Sequence, residues 1–200
     1  MDRDRLEMRI IVLGDSGVGK TTILQRYSFG KIVNSIATIG LPFSSKNYIL
    51  EDGQNIVLKL VDTGGEEKYR AITKSYYKNA DGVFFVFAHN DKESFDHIIE
   101  WIASFDENSS KEDIPKLLIG NKNDLPKFEE NEESFNVFCK GHNIYKYIST
   151  SAKNNINIDK AFKEMVEKIY PNIKNSKGHH IKKVGSLKQK RQCCITEQDT

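Results

Sequence analysis

The feature that most constrains this chain is a short apolar run, Arg9-Ile-Ile-Val-Leu13, that leads straight into Gly14-Asp-Ser-Gly-Val-Gly-Lys-Thr21. Glycines at both ends of the spacing Gly-x-x-x-x-Gly-Lys-Thr let successive backbone N–H groups turn onto one point. The helix expected from about Lys20 to Phe29 brings its partially positive N-terminus to the same place. Strand, glycine-rich loop and helix in that order make a cradle for phosphate oxygens. Its candidate lining is Asp15, Ser16, Gly17, Val18, Gly19, Lys20, Thr21 and Thr22. Lys20 offers a point charge to terminal phosphates, and the Thr21 hydroxyl offers a ligand to Mg2+.

The rest of the pattern is compatible with only a few architectures. Leu41–Leu50 and Asn55–Val61 read as two strands joined at Glu51-Asp-Gly53, and Pro42 consigns the first of them to an edge. Gly82–Ala88 and Lys116–Gly120 are continuous apolar runs, as expected of strands covered on both faces, and Tyr145–Thr150 is a weaker sixth. Between them lie helical stripes: Phe95, Ile98, Ile99, Ile102 and Phe105, then Ile158, Ala161, Phe162, Met165, Val166 and Ile169. Strands alternating with helices predict an α/β domain with a mostly parallel six-stranded sheet, one antiparallel edge strand and about five flanking helices. Ligands of such sheets sit at the carboxyl ends of the strands.

Three further segments fall at those ends. Asp62-Thr-Gly-Gly65 follows the third strand, where Asp62 can hold Mg2+ through a water and the Gly65 N–H can touch a γ-phosphate. Thr38, in the connection before strand two, is a candidate second hydroxyl on the metal. Asn121-Lys-Asn-Asp124, with Leu125 beside it, follows strand five, and Ser151-Ala-Lys153 follows strand six. The Asp124 carboxylate can accept from guanine N1–H and the 2-amino group together. Adenine presents no such pair of donors and would leave the carboxylate unpaired. Asn121 can bridge the loops, the Lys122 stem can cover the ring, and the Ala152 N–H can donate to guanine O6. The ligand expected from these residues is a guanine nucleotide.

Taken together, these elements resemble the Ras-like small GTPases, most of all the Rab branch, over roughly residues 8–170. Thr38-Ile-Gly40 with Phe43 is similar to the first Rab switch. Lys68–Thr73 and Ser75–Ala80 are similar to the second, and Glu93-Ser-Phe95 to the start of its third helix. The resemblance implies a P-loop NTPase fold and a GTP/GDP switch in vesicle traffic, with Mg2+ as cofactor. It also implies an exchange factor, a GTPase-activating protein, a GDP-dissociation inhibitor and effectors as partners of a monomer. Lys20, Gly65 and the residue after Gly65 would be catalytic. That residue is Glu66, where the family usually has Gln to orient the attacking water. A carboxylate cannot donate to the transition state and adds charge beside the γ-phosphate, so slowed hydrolysis is expected. The alternative is a GTP-holding adaptor with little turnover. Pro42, Val61 and Ala88-His-Asn90 also depart from the Rab pattern, and either Phe29 or Ile32 lies nearest the guanine face.

Charge divides the chain in two. Residues 1–170 carry 23 Lys/Arg and 26 Asp/Glu. Residues 171–195 carry seven Lys/Arg and no acid. Periodicity stops after Tyr170-Pro171, so 1–170 is read as the GTPase domain and 171–200 as a flexible basic tail. Cys193-Cys194 behind this basic stretch resembles a doubly prenylated Rab terminus, although six residues follow the pair. The tail is not interleaved with aromatics, which argues against nucleic acid. No apolar run reaches the ~18 residues needed to cross a bilayer, and three cysteines form no disulfide framework. The expected place is the cytoplasm, cycling to the cytosolic face of an intracellular membrane.

Overall fold

In the computed structural model the chain is described over residues 6–32, 43–63, 76–111, 113–129 and 131–190, with 175–190 as helix backbone only. Six strands form one sheet: β1 (Leu6–Leu13), β2 (Phe43–Ile49), β3 (Asn55–Asp62), β4 (Gly82–Ala88), β5 (Lys116–Asn121) and β6 (Lys146–Ser149). Their order is β2-β3-β1-β4-β5-β6. β2 is antiparallel to β3 and lies at the edge, where Pro42 predicts it; the other pairings are parallel. The chain leaves β1 toward β3 and later returns on the other side to β4. The crevice at the carboxyl end of β1 is therefore the topological switch point, and the Gly14–Thr21 loop fills it.

The described helices are α1 (Lys20–Phe29), α2 (Lys92–Asp96), α3 (Ile98–Asn108), α4 (Glu132–Gly141) and α5 (Ile158–Lys190). They cover both faces of the sheet, which explains the unbroken apolar strands. In β1, Met8, Ile10 and Val12 join the core beneath α1 and α5, while Ile11 and Leu13 join the core beneath α3 and α4. On the first face Tyr27 of α1 stacks on Phe162 of α5 at 3.6 Å between ring centres, and Phe84 of β4 meets Phe162 edge-on at 5.0 Å. These contacts fix α1, and with it the phosphate loop, against the sheet.

One expectation needs correction. The stripe in the middle of the chain is not a single face: Ile99 is 51% exposed and Trp101 is buried in its place. The buried face of α3 is Ile98, Trp101, Ile102 and Phe105, the i, i+3, i+4 and i+7 positions of one regular helix. Ile99 lies one residue, about 100°, off that face. Helix α5 continues through Pro171 to Lys190. Pro171 removes one backbone donor, but the turns around it are tied to the body. Tyr170 and Ile173 pack on the core, and the Tyr170 hydroxyl donates to Asp52 at 2.9 Å.

Candidate nucleotide site

The phosphate loop is shaped by two glycines. Gly14 has φ +144°, and a Cβ there would run into the Val86 carbonyl of β4; Gly19 has φ +100°, and a Cβ would run into the Asn121 amide. The loop can therefore lie against β4 and the Asn121 side chain only without side chains at these positions. Lys20 is buried and folds back, its Nζ donating to the carbonyls of Gly14 at 2.8 Å and Asp15 at 2.6 Å. Burial lowers its pKa to about 8, against the opposing pull of Asp62 and Asp15, so the ammonium stays charged at neutral pH. Ser16 and Gly17 are exposed at the tip, and Val18 is buried beneath it. α1 starts at Gly19 with no side-chain cap and no acid in its first turn, which contains Thr21 and Thr22. Its N-terminal positive charge is not neutralised by a neighbouring acid on the helix.

The pairing of β1 with β3 sets Val12 against Asp62, which carries the Asp62 carboxylate to the base of the loop. Thr21 Oγ1 donates to Asp62 Oδ2 at 2.6 Å. Thr63 Oγ1 donates to the Val12 carbonyl at 2.7 Å and holds the end of β3 in place. A hydroxyl and a carboxylate oxygen meeting beside a phosphate cradle are the hard oxygen donors that Mg2+ takes, usually one or two from protein with phosphate and water completing the shell. The residues present fit that ion. Thr38, Gly65 and Glu66 lie outside the described residues, as do Cys193 and Cys194.

The two base loops meet the phosphate loop through one buried side chain. Asn121 Nδ2 donates to the Val18 carbonyl at 2.9 Å. Its Oδ1 accepts from Thr150 Oγ1 at 3.2 Å and from the Ala152 N–H at 3.1 Å. The Ala152 N–H, assigned from sequence to guanine O6, is thus directed to Asn121. Asp124 Oδ1 accepts from Ser151 Oγ at 2.6 Å, and this bond, before all other influences, holds the carboxyl below the usual carboxylate range. Asp124 is an acceptor at neutral pH, as guanine reading requires. Lys122 has φ +60°, Leu125 is 37% exposed, and the Lys153 carbonyl accepts from Arg26 Nη2 at 2.9 Å. Phe29 and Ile32 are both exposed.

Several participants carry no sequence signal of their own. Arg26 of α1 also donates through Nε to the Ala152 carbonyl at 2.9 Å, tying the phosphate helix to the second base loop. Asp15 is gripped from α2 and α3: His97 Nδ1 lies 2.6 Å from Oδ2, and Trp101 Nε1 donates to Oδ1 at 2.8 Å. A lone Arg, His or Trp on a helix looks like surface or core until the fold brings it to the loop.

Comparison with known proteins places this geometry in context. The Ras family model matches residues 9–171. The Ras-related protein Rab-11B of Dictyostelium discoideum is 38% identical over 171 residues, 84% of this chain and 76% of that protein. The Ras-related protein RABD2a of Arabidopsis thaliana is 36% identical over 200 residues, covering 94% and 96%. The Ras-related protein Rab-10 of Caenorhabditis elegans is 37% identical over 170 residues, covering 84% and 83%.

The His97–Asp15 contact makes the loop sensitive to pH. The hydrogen bond and charge of Asp15 raise the His97 pKa above its ordinary 6.5, with Glu100 and Glu93 adding to the effect. A raised folded-state value means the clamp is complete below about pH 6.5 and weakens as pH rises through the shifted value. Release of a bound fluorescent guanine nucleotide is expected to accelerate as pH rises from 6 to 9. In His97→Asn, which keeps a hydrogen-bonding group but not the charge, that part of the slope is expected to vanish. Stopped-flow release at fixed ionic strength measures both.

Proposed function

Because the chain belongs to the Ras family and is a GTPase of that family, we propose that it works as a Rab-like GTP/GDP switch in membrane traffic. The observation that carries this reading is the Asn121 side chain, which joins the phosphate loop at Val18 to the second base loop at Ala152. Phosphate and base are then held as one unit, which is what a nucleotide-dependent switch needs. The Gly14–Gly19 backbone, the α1 N-terminus and Lys20 take the phosphates, while Asn121, Asp124 and Ser151 read guanine, with Ala152 and Lys153 at the same edge. Thr21 and Asp62, joined by Thr38 on the sequence reading, would hold Mg2+, which when bound neutralises charge on the phosphate oxygens. Among the described residues no cluster of three metal-ligating side chains stands apart from this pair.

Turnover is assigned from sequence to the Asp62–Glu67 segment, where Gly65 would touch the γ-phosphate and Glu66 replaces the expected Gln. A carboxylate there can accept from the attacking water but cannot donate to the charge that develops on the phosphoryl oxygens. We read this as slowed hydrolysis and a prolonged GTP-bound state. The second reading, an adaptor that holds GTP with little turnover, rests on the same residue. Single-turnover hydrolysis is expected to be about tenfold faster in Glu66→Gln, the equivalent of one gained transition-state hydrogen bond. Equal rates would remove Glu66 from the account. Multiple-turnover phosphate release close to zero in the unaltered protein would favour the adaptor.

The switch would act on the cytosolic face of an intracellular membrane. No described helix is long and apolar enough to cross one. Attachment is assigned to two lipid chains on Cys193 and Cys194, helped by the lysines of 174–190 against an anionic leaflet. Mass spectrometry of the C-terminal peptide from its own cells is expected to show two isoprenoid additions. An unmodified peptide would take the anchor out of the account.

A further inference from the structure

The carboxyl end of β4 holds a buried histidine that the nucleotide site as described does not use. His89 is 3% exposed, and its ring sits among Phe87, Phe128, Phe135 and Tyr147. Its peptide group closes the first base loop from both ends. The His89 N–H donates to the Asn121 carbonyl at 2.8 Å, and the His89 carbonyl accepts from the Phe128 N–H at 2.9 Å. Residues 122–127 are the loop between those two bonds. The ring reaches β6, the strand that leads into the second base loop: Nε2 lies 3.2 Å from Ser149 Oγ, at the last residue of β6, and 2.9 Å from the Tyr147 hydroxyl. Ser149 Oγ in turn accepts from Asn123 Nδ2 at 3.2 Å, inside the first loop. A chain of polar contacts therefore runs His89–Ser149–Asn123, from the sheet into the residue beside Asp124.

The space for this ring is specific. A Cβ on Gly120 would lie 2.6 Å from His89 Nε2, so β5 leaves out a side chain where the imidazole passes. The charge state follows from the surroundings. Burial, with the Lys127 ammonium adding to it, pushes the His89 pKa down to about 4, so the ring is neutral at physiological pH. With Asn123 donating to Ser149, the Ser149 hydroxyl proton is free to turn toward Nε2, which accepts from it and from the nearer Tyr147 hydroxyl. A neutral imidazole with its proton on Nδ1 meets that requirement.

We propose that His89 is a positioning residue for guanine recognition: through Ser149 and Asn123 it fixes the loop that presents Asp124 to the base. The proposal deepens the guanine-reading assignment and rests on it. A loop that loses the Ser149 contact keeps the Asn123 N–H bond to the Thr150 carbonyl at 3.0 Å and the Ser151 bond to Asp124, and it would still bind phosphates, because those contacts come from the Gly14–Thr21 segment. It would align the Asp124 carboxylate less well with N1–H and the 2-amino group. The loss should then appear in base discrimination and dwell time more than in overall stability.

The test compares GDP with inosine diphosphate, which lacks the 2-amino group, and with ADP, on the full chain. His89→Leu removes the ring nitrogens while keeping an apolar filling. His89→Gln keeps an acceptor near the position of Nε2, and Ser149→Ala breaks the next link. GDP release is expected to be about tenfold faster in His89→Leu and Ser149→Ala, the loss of one hydrogen bond. The preference for GDP over inosine diphosphate should narrow in both, and His89→Gln should stay within a few-fold of the unaltered protein. The double variant should be no worse than the more affected single one, because both changes cut the same chain. Release and preference unchanged in both single variants would overturn the proposal. So would a loss equal for GDP and inosine diphosphate, a His89→Gln variant as impaired as His89→Leu, or multiplying effects in the double variant. If His89→Leu does not fold, Ser149→Ala alone decides. An unaltered protein with no preference for GDP over ADP would instead refute the guanine assignment on which the proposal stands.

Discussion

The site depends on what happens to the side chain of Asn121. It is buried, so each polar atom that lacks a partner would cost about 1–3 kcal/mol, and its position at the end of β5 allows it to reach two segments distant in sequence. One amide donor is spent on Val18 of the phosphate loop, and the carbonyl oxygen accepts from Thr150 and Ala152 beyond β6. Gly19 lacks a side chain at the place where that amide passes. The Gly14–Thr21 loop and the loop after β6 are thereby tied to the end of β5 by one side chain.

Around this unit the sheet acts as a ruler. Parallel pairing places Asp62 beside Val12, Asn121 beside Ala88 and Ser149 beside Gly120, so the carboxyl ends of five strands deliver their loops to one edge. The two cores beneath the helices hold the register because β1, β4 and β5 are covered on both faces. The stacked Tyr27 and Phe162 rings then fix α1, whose first turn presents Thr21 to Asp62. Polar staples at the rim complete the arrangement: Arg26 to the second base loop, and His97 with Trp101 to Asp15. These contacts are short, and several are partly exposed, which makes them adjustable without loss of the fold.

The residues legible in the sequence were those whose chemistry is tied to local spacing. Gly14, Gly19, Lys20 and Thr21 belong to one loop, and Asn121 to Asp124 to another. The strands that carry them are apolar runs bounded by turn residues. What was not legible depends on tertiary approach. Trp101 shares the i, i+3, i+4, i+7 face of α3 with Ile98, Ile102 and Phe105, while Ile99 is turned outward; an apolar residue at either position reads alike until Asp15 is seen to receive the indole N–H. The course of α5 past Pro171 rests on Tyr170 and Ile173 packing against the body, a contact that composition cannot reveal. His89 carries no signal in the sequence beyond a departure from the Rab pattern, because Gly120 and Ser149 reach its ring only where β4, β5 and β6 stand side by side.

On this reading the edge of the sheet selects guanine through the Asp124 carboxylate, held by Ser151. The most direct measurement is the affinity for GDP and for xanthosine diphosphate of the unaltered protein and of Asp124→Asn. Xanthine carries a carbonyl where guanine carries the 2-amino group, so a carboxylate repels it and an amide can donate to it. The account predicts that the unaltered protein prefers GDP by at least about a hundredfold and that Asp124→Asn prefers xanthosine diphosphate. An unaltered preference in the variant, or an equal loss of affinity for both nucleotides, would contradict it.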